Sequence, residues 1–292
     1  MVNRIYNFND YPTKKKTYGG ANGNELSIII DSELYMLKLP QHATRNEELS
    51  YANSSISEYL GSNIFKMLGM NTQDTLLGTF TYHNVERVSV ACKDFEKNGF
   101  ILKDFASVKN QIIDSNSNGY WTELNDILET IEKQELMDPV ELSNHFWDMF
   151  VIDALIGNWD RHNGNWGFLY NQELDSIKLA PIYDCGSCLF PQLDDKSIEG
   201  ILKDKQKFNA RIYDFPTSAI MLNNKRINYY EFISSHSYKA CDDALKRIAG
   251  KINIEKINEL IDSVIYVSEN HKEFLKKIIR ARKDIIIDKN LQ

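Results

Sequence analysis

The sequence predicts an α+β fold in two lobes, a β-rich first third followed by a helical remainder. Three observations carry this expectation. Short apolar runs of strand length crowd the segment before residue 93, helical periodicity dominates after it, and 292 residues exceed what one small core needs. The expected division is one lobe over residues 1–92 and a second over residues 93–292.

Taken in order, Leu26–Ile30 and Glu33–Leu39 are apolar runs separated by Asp31-Ser32, the pattern of two strands and a tight turn. Ile56, Tyr59, Leu60, Ile64, Met67 and Leu68 then recur at helical spacing, with Gly69 as a stop. Thr75–Tyr82 and Arg87–Cys92 return to strand character, and the lobe boundary is expected near Ala91–Phe95. Trp121–Gln134 and Pro139–Ile156 are predicted helices. Pro139 suits a first helical turn, and Phe146, Met149, Phe150 and Asp153 share one face. Gly157-Asn158 ends that helix. Trp166–Tyr170 and Ser176–Tyr183 read as a hairpin that delivers the chain to Asp184, and Tyr229–Ala249, Ile254–Val267 and His271–Asp288 read as scaffold helices.

Composition narrows the function classes. Hydrophobic residues make up 42% and charged residues 26%, a balance that fills a core. A formal net charge of −7 argues against direct nucleic-acid binding as the main activity. The one basic run, Lys14-Lys15-Lys16, reads as a solvated surface. No stretch approaches the roughly 18 apolar residues of a membrane span, and Met1–Asp10 lacks an apolar leader core. A cytoplasmic protein that does not engage membranes is therefore expected. Its four cysteines are too few for a disulfide framework, and Cys185-x-x-Cys188 lacks the second ligand pair a zinc site needs.

Phosphoryl transfer from ATP requires a backbone cradle for phosphates, a cation on the α/β-phosphates, oxygen ligands for magnesium and a carboxylate near the acceptor hydroxyl. The sequence offers each in turn. Tyr18-Gly19-Gly20-Ala21-Asn22-Gly23-Asn24 precedes a strand, and its glycines allow amide N–H groups to face phosphate oxygens, although such a stretch is also an ordinary loop. Lys38 interrupts the apolar run Tyr35-Met36-Leu37-Lys38-Leu39. Strand alternation would send it to solvent, but Glu58 on the predicted helix offers it an ion-pair partner, with Glu47 or Glu48 as alternatives.

The strongest signal is Ile156-Gly157-Asn158-Trp159-Asp160-Arg161-His162-Asn163-Gly164-Asn165. Its Asp-x-x-x-x-Asn spacing is that of a catalytic loop in which the aspartate orients the acceptor hydroxyl and the asparagine binds magnesium. So many polar residues between an apolar helix and an apolar strand are costly to bury without a use. Asp184-Cys185-Gly186, at the end of a strand, supplies an Asp-x-Gly metal motif, or else a simple turn.

At Tyr18–Asn24, Leu34–Pro40, Ser54–Gly69 and above all Ala154–Asp184, with Asn158-x-Asp160-x-His162-x-x-Asn165 at its heart, the sequence resembles the HipA-like kinases. The likeness is strongest to the short forms of the cell-translocating kinase A group. The resemblance implies a two-lobed kinase-like fold that uses ATP and Mg2+ to phosphorylate serine or threonine on a protein substrate. Family members often act as the toxin of a toxin–antitoxin pair, so an antitoxin protein is an expected partner. It further implies Asp160 as catalytic base, Asn165 and Asp184 as magnesium ligands, Lys38 on ATP, His162 as a brace of the loop, and Ala91-Cys92-Lys93 at the adenine-contacting hinge. In members of the family the nucleotide loop carries an autophosphorylated serine, whereas Gly19–Asn24 contains none and has Thr17 and Ser27 only as flanks. The string Asp160-Arg161-His162-x-x-Asn165 also resembles phosphatidylinositol kinases, leaving lipid or small-molecule phosphorylation as an alternative. A catalytically silent nucleotide-binding module is the other.

Overall fold

The computed structural model describes residues 5–16, 25–39, 52–113 and 118–291. The first lobe is built on a six-stranded sheet of β1 (Tyr6–Asn7), β2 (Thr13–Lys14), β3 (Glu25–Ile30), β4 (Glu33–Lys38), β5 (Thr75–Tyr82) and β6 (Val85–Lys93), in the order β1-β5-β6-β4-β3-β2. β1 runs parallel to β5, and the other neighbours are antiparallel. Both hairpins close through two residues of positive φ, Asp31 (49°) with Ser32 (67°) and His83 (49°) with Asn84 (62°). Such turns match the twist of the flanking strands.

Helix α1 (Ser54–Met67) lies across one face of this sheet. Its Ile56, Leu60 and Ile64 are buried, with Leu77 and Val88 of the sheet packed against their cluster. The opposite face is closed by Phe8, Ile28, Ile30, Leu37 and Ala91. The helix ends as expected, since Gly69 follows it at φ +86°. The basic run is not wholly solvated: Lys14 and Lys15 are exposed, but Lys16 is tied to Asp94 at 2.5 Å and Glu96 at 3.0 Å.

The second part opens with a strand where the sequence suggested helix. β7 (Phe100–Asp104) pairs with β8 (Gly167–Asn171), which pairs in turn with β9 (Ser176–Leu179). β9 stops short of the predicted Tyr183. The chain beyond it leaves for the first lobe, where Ile182 bridges Thr72 and accepts from the backbone N–H of Gln73 at 2.9 Å. Helices α2 (Phe105–Ile112) and α3 (Leu124–Lys133) precede α4 (Pro139–Ile156), the axis of this lobe. Every residue of α4 from Met149 to Ile156 is buried.

After α5 (Asp195–Lys203), α6 (Lys205–Tyr213) and the hairpin of β10 (Thr217–Leu222) with β11 (Lys225–Asn228), the predicted helix Tyr229–Ala249 is found in two pieces. α7 (Tyr229–Ser234) and α8 (Lys239–Ala249) are separated by a turn in which His236 takes φ 50°. The break lets Phe232 and Tyr238 both pack on Trp147 of α4, with ring centroids 6.0 and 5.7 Å away. Aromatic burial there outweighs an unbroken helical ladder. α9 (Ile254–Asp262) ends before the predicted Val267, while α10 (Glu269–Arg282) begins before His271 and runs on through a π turn over Lys283–Ile287. No helix among the described residues is long and apolar enough to cross a membrane.

Ser32 tests the turn argument. A left-handed L-residue costs roughly 1–2 kcal/mol, against about 0.4–1 kcal/mol for the extra unfolded-state freedom of glycine. Ser32→Gly is therefore expected to stabilise by ~0.5 kcal/mol. A thermal melt in which the midpoint falls would reject that reading of the turn.

Candidate active site

α4 supplies the anchor of the site and then stops abruptly. Asp153 sits 1% exposed in an otherwise apolar stretch, and Gly157 caps the helix at φ 64°. The loop that follows folds back onto Asp153. Asn158 Nδ2 donates to Asp153 Oδ1 at 2.8 Å, and Arg161 Nε donates to Asp153 Oδ2 at 3.1 Å. The loop then closes on itself: Asp160 N–H donates to Asn158 Oδ1 at 3.2 Å, His162 N–H to Asp160 O at 2.8 Å, and Asn165 Nδ2 to Asp160 O at 2.9 Å. With its amide nitrogen so committed, Asn165 has its Oδ1 without a hydrogen bond among the described residues.

His162 is bonded back into its own loop. Its Nδ1 accepts from Gly164 N–H at 3.0 Å, which makes Nε2 the protonated nitrogen of the neutral ring. Asn163, fully buried, donates to Gly119 O at 2.8 Å and Trp121 O at 2.9 Å, fixing the loop to the segment before α3.

Arg161 carries the loop to Asp184. Its Nη1 donates to Asn165 O at 2.9 Å and to Tyr183 O, and its Nη2 reaches Cys185 Sγ at 3.4 Å. Asp184 itself takes φ 57°, a backbone region that non-glycine residues enter at a cost. The first lobe meets it there. Lys38 Nζ lies 3.0 Å from Asp184 Oδ1 and 3.0 Å from Glu58 Oε2, while Glu58 Oε1 accepts from Cys185 N–H at 3.0 Å. Glu58, 1% exposed, thus holds both the lysine and the Asp-x-Gly backbone. The Asp184 side chain remains 44% exposed on its open side.

The electrostatics follow from this packing. Burial alone would lower the Lys38 pKa, but the carboxylates of Asp184 and Glu58 outweigh it and hold the ammonium well above its ordinary value. The Lys38 charge, working against burial, keeps Asp184 below the usual carboxylate range. Asp160 goes the other way: burial raises it, with the His162 charge opposing and the nearby Asp184 charge adding to the shift. The two carboxylates are thus shifted in opposite directions, Asp184 down and Asp160 up.

Cys185 and Cys188 are free thiols buried against α1. Burial pushes Cys185 up to about 12. A Cβ added at Gly61 of α1 would lie 2.7 Å from Cys188 Sγ and 2.8 Å from Cys185 Cβ, so glycine there permits the close approach.

The sheet register shows which way the side chains of the expected hinge stretch point. Lys38 pairs with Val90, Leu37 with Ala91 and Tyr35 with Lys93, so Ala91 and Lys93 project from the face opposite Lys38. Ala91 belongs to the Phe8 cluster, and Lys93 reaches Glu33 at 3.4 Å. Cys92, between them, is the residue on the Lys38 face. Gly19, Gly20, Ala21, Asn22 and Gly23, together with Glu47 and Glu48, lie outside the described residues. Ser27, a flank of that loop, is buried and donates to Lys16 O.

Sequence reasoning missed three members of the site. Asp153 was noticed only as part of a helix face, although a carboxylate in an apolar run signals a buried partner. Arg161 stood inside the motif without a role. Glu25, opposite Lys38 in the β3–β4 ladder, has its pKa raised by burial against the pull of Lys38 and needed the register to be found.

The HipA-like C-terminal domain family matches residues 28–265. The chain belongs to the HipA-like family. Over 275 residues it is 46% identical to the serine/threonine-protein kinase CtkA of Helicobacter pylori, covering 94% of this chain and 83% of that protein. The crystal structure of an H. pylori proinflammatory kinase CtkA matches with a TM-score of 0.91 at 44% identity, covering 99% of this chain and 98% of that one. HipA of Shewanella oneidensis, in a complex with HipB and operator DNA, matches at a TM-score of 0.55 and 14% identity, covering 96% of this chain and 65% of that one, which is a likeness of fold. The two-lobed kinase-like architecture read from the sequence is thus the architecture of this HipA-like chain.

Asp153→Ala would leave the Arg161 guanidinium buried without its carboxylate. Breaking a buried pair from one side costs about 3–5 kcal/mol, and urea denaturation is expected to show a loss of that order. A variant as stable as the parent would remove Asp153 as the anchor of the loop.

Proposed function

We propose that this chain is an ATP- and magnesium-dependent protein kinase that phosphorylates serine or threonine. The observation that carries the reading is Lys38, held 3.0 Å from both Glu58 and Asp184 beside the Asp160–Asn165 loop. The names of the H. pylori relatives support the reaction class and, for the acceptor, a protein hydroxyl. A partner of the antitoxin kind is proposed on the family alone.

The donor set suits magnesium. Asn165 presents an uncommitted amide oxygen and Asp184 a carboxylate held ionised, one neutral and one anionic oxygen. Mg2+ takes few protein ligands and completes its shell with water and phosphate oxygens. Held by Asn165 and Asp184, the ion would supply positive charge to the phosphate oxygens of the nucleotide.

The chain's own residues then account for the rest. Lys38 offers its ammonium to the α/β-phosphates while Glu58 keeps the side chain aimed. Asp160 accepts the proton of the acceptor hydroxyl as the new oxygen–phosphorus bond forms and the bond from the γ-phosphorus to the bridging oxygen breaks, with ADP leaving. Arg161 holds the backbone of Asn165 and of Tyr183 at one spacing, so the loop bearing the base and the segment bearing Asp184 keep their relation.

Three outcomes test the proposal. Asp160→Asn is expected to lower single-turnover phosphate transfer by about 10²- to 10⁴-fold with nucleotide affinity little changed. Equal losses in both would make Asp160 a nucleotide or metal ligand, and unchanged transfer would leave it no catalytic role. Lys38→Met should weaken calorimetric ATP binding by roughly 10- to 100-fold, the worth of one charge-assisted contact, with the circular dichroism spectrum retained. Undiminished ATP binding would reject the contact. Because the base must be unprotonated and its pKa is raised, transfer should fall as pH drops through a value above that of an ordinary aspartate. A rate flat down to the ordinary aspartate range would contradict the assignment.

A further inference from the structure

Two exposed side chains from elsewhere in the chain are held against the Asp160–Asn165 loop. Tyr120, 52% exposed, donates from its hydroxyl to Asp104 Oδ2 at 3.0 Å. Its ring lies beside Gly164, where an added Cβ would come within 2.9 Å of it, and meets the His162 ring edge-on with centroids 6.4 Å apart. The second is Arg226 of β11. Its Nη1 donates to Trp159 O, the carbonyl directly before Asp160, at 3.2 Å.

The place of Arg226 is fixed by the strands around it. In the β10–β11 ladder it stands opposite Met221, which in turn bridges Glu123 and donates its N–H to Thr122 O at 2.9 Å. The Glu123 carboxylate accepts from Asn223 N–H at 2.8 Å and Asn224 N–H at 3.1 Å, holding the turn of that hairpin. Just before Thr122 lie the carbonyls of Gly119 and Trp121 that Asn163 of the loop bonds. Past the end of β11, the Tyr229 hydroxyl donates to Asn158 O. The two carbonyls that precede Asp160 are thus held from one direction, one by a buried phenol and one by an exposed guanidinium.

A charge is more than a carbonyl brace requires. A guanidinium carries five N–H donors, and the bond to Trp159 O uses one. No carboxylate is ion-paired with Arg226 among the described residues, whereas Arg161, Arg247 and Arg280 each have one. Burial raises the Asp160 pKa, and the Arg226 charge is among those that pull it back, so the cation is felt at the base. Interactions between exposed charges fade over about 8 Å at physiological salt. Residues beside a substrate hydroxyl therefore feel Arg226 more than the net charge of −7 spread over the whole chain.

We propose that Arg226 is a specificity-determining residue that recognises an acidic side chain flanking the acceptor serine or threonine of the protein substrate. With the acceptor hydroxyl at Asp160, a carboxylate within about three residues, some 10 Å of extended chain, meets the remaining N–H donors of Arg226, a fork that suits bidentate pairing. The Tyr120 ring gives the same segment an apolar wall beside Gly164. The placement of the acceptor rests on the kinase reading.

Glycine–alanine peptides with one central serine are the probe, each of the three positions on either side being aspartate, asparagine or lysine in turn. Two quantities are measured on the full chain: kcat/KM for phosphate transfer and, without turnover, the affinity for the same peptides with alanine in place of serine. Aspartate is expected to exceed asparagine by about 5-fold in both at one or more of these positions, the upper end for an exposed ion pair, with lysine the poorest. Arg226→Gln should erase the aspartate preference and Arg226→Glu should turn it over to lysine, neither of which follows from loss of a brace on Trp159 O. The proposal is overturned by equal affinity for aspartate and asparagine at every position, by a preference for lysine in the parent, or by an aspartate preference that survives in folded Arg226→Gln. It also falls if that variant loses ATP affinity with no change among the peptides, which would make Arg226 a nucleotide contact. The first two outcomes need no variant. Failure of the kinase reading shows differently, as phosphate transfer to none of the peptides, and the affinities measured without turnover still decide the role of Arg226.

Discussion

The arrangement depends first on one buried ion pair. Arg161 and Asp153 are 2% and 1% exposed, and two charges taken that far from water cost several kcal/mol each unless every polar atom finds a partner. Here the partners are what make the site. The Arg161 donors go to the Asp153 carboxylate, to the carbonyls of Asn165 and Tyr183 and to Cys185 Sγ, while Asn158 supplies a further donor to Asp153. Satisfying the guanidinium and placing the loop beside Asp184 are one requirement, met from a helix whose remaining residues there are apolar.

A second buried carboxylate joins the lobes. Glu58 divides its two oxygens between Lys38 on the sheet and Cys185 N–H behind Asp184, so a single side chain reports on both. The chain crosses near it a second time at the Thr72–Ile182 bridge, where backbone groups of the two lobes hydrogen-bond directly. The lysine therefore sits between two anions of different origin. Glu58 is buried and bonded on both oxygens, whereas Asp184 is open on one side.

Much of this was legible in the sequence because the elements that build it have clean periods. The β3–β4 and β5–β6 hairpins, α1 and α4 show period 2 or 3.6 with turn residues between them, and the polar string after Gly157 stands out against apolar flanks. The Lys38–Glu58 pair followed from putting an amphipathic helix on a sheet. What failed did so for physical reasons. Which face Ala91 and Lys93 occupy was out of reach of the sequence, because only the ladder says it and one residue's shift reverses it. The helix over Tyr229–Ala249 kept its period through residues that a tertiary aromatic cluster then bent. β7 carries its information in a partner, β8, some sixty residues away, as short strands commonly do. Between Cys185 and Asn228 the sequence offered no reading, and the structure fills that interval with two nine-residue helices and a four- to six-residue hairpin, each too short to show a period.

The glycine at position 61 has a consequence for how this chain tolerates change. With no room for a Cβ between α1 and the Cys185–Cys188 turn, helix and turn interlock like teeth, and neither slides past the other without opening a void or a clash. The two positions then share one volume: a methyl group gained at 61 has to be surrendered at 188. Variation in one is readable only beside the other, and a displacement of α1 carries the Asp184 segment with it as a single piece.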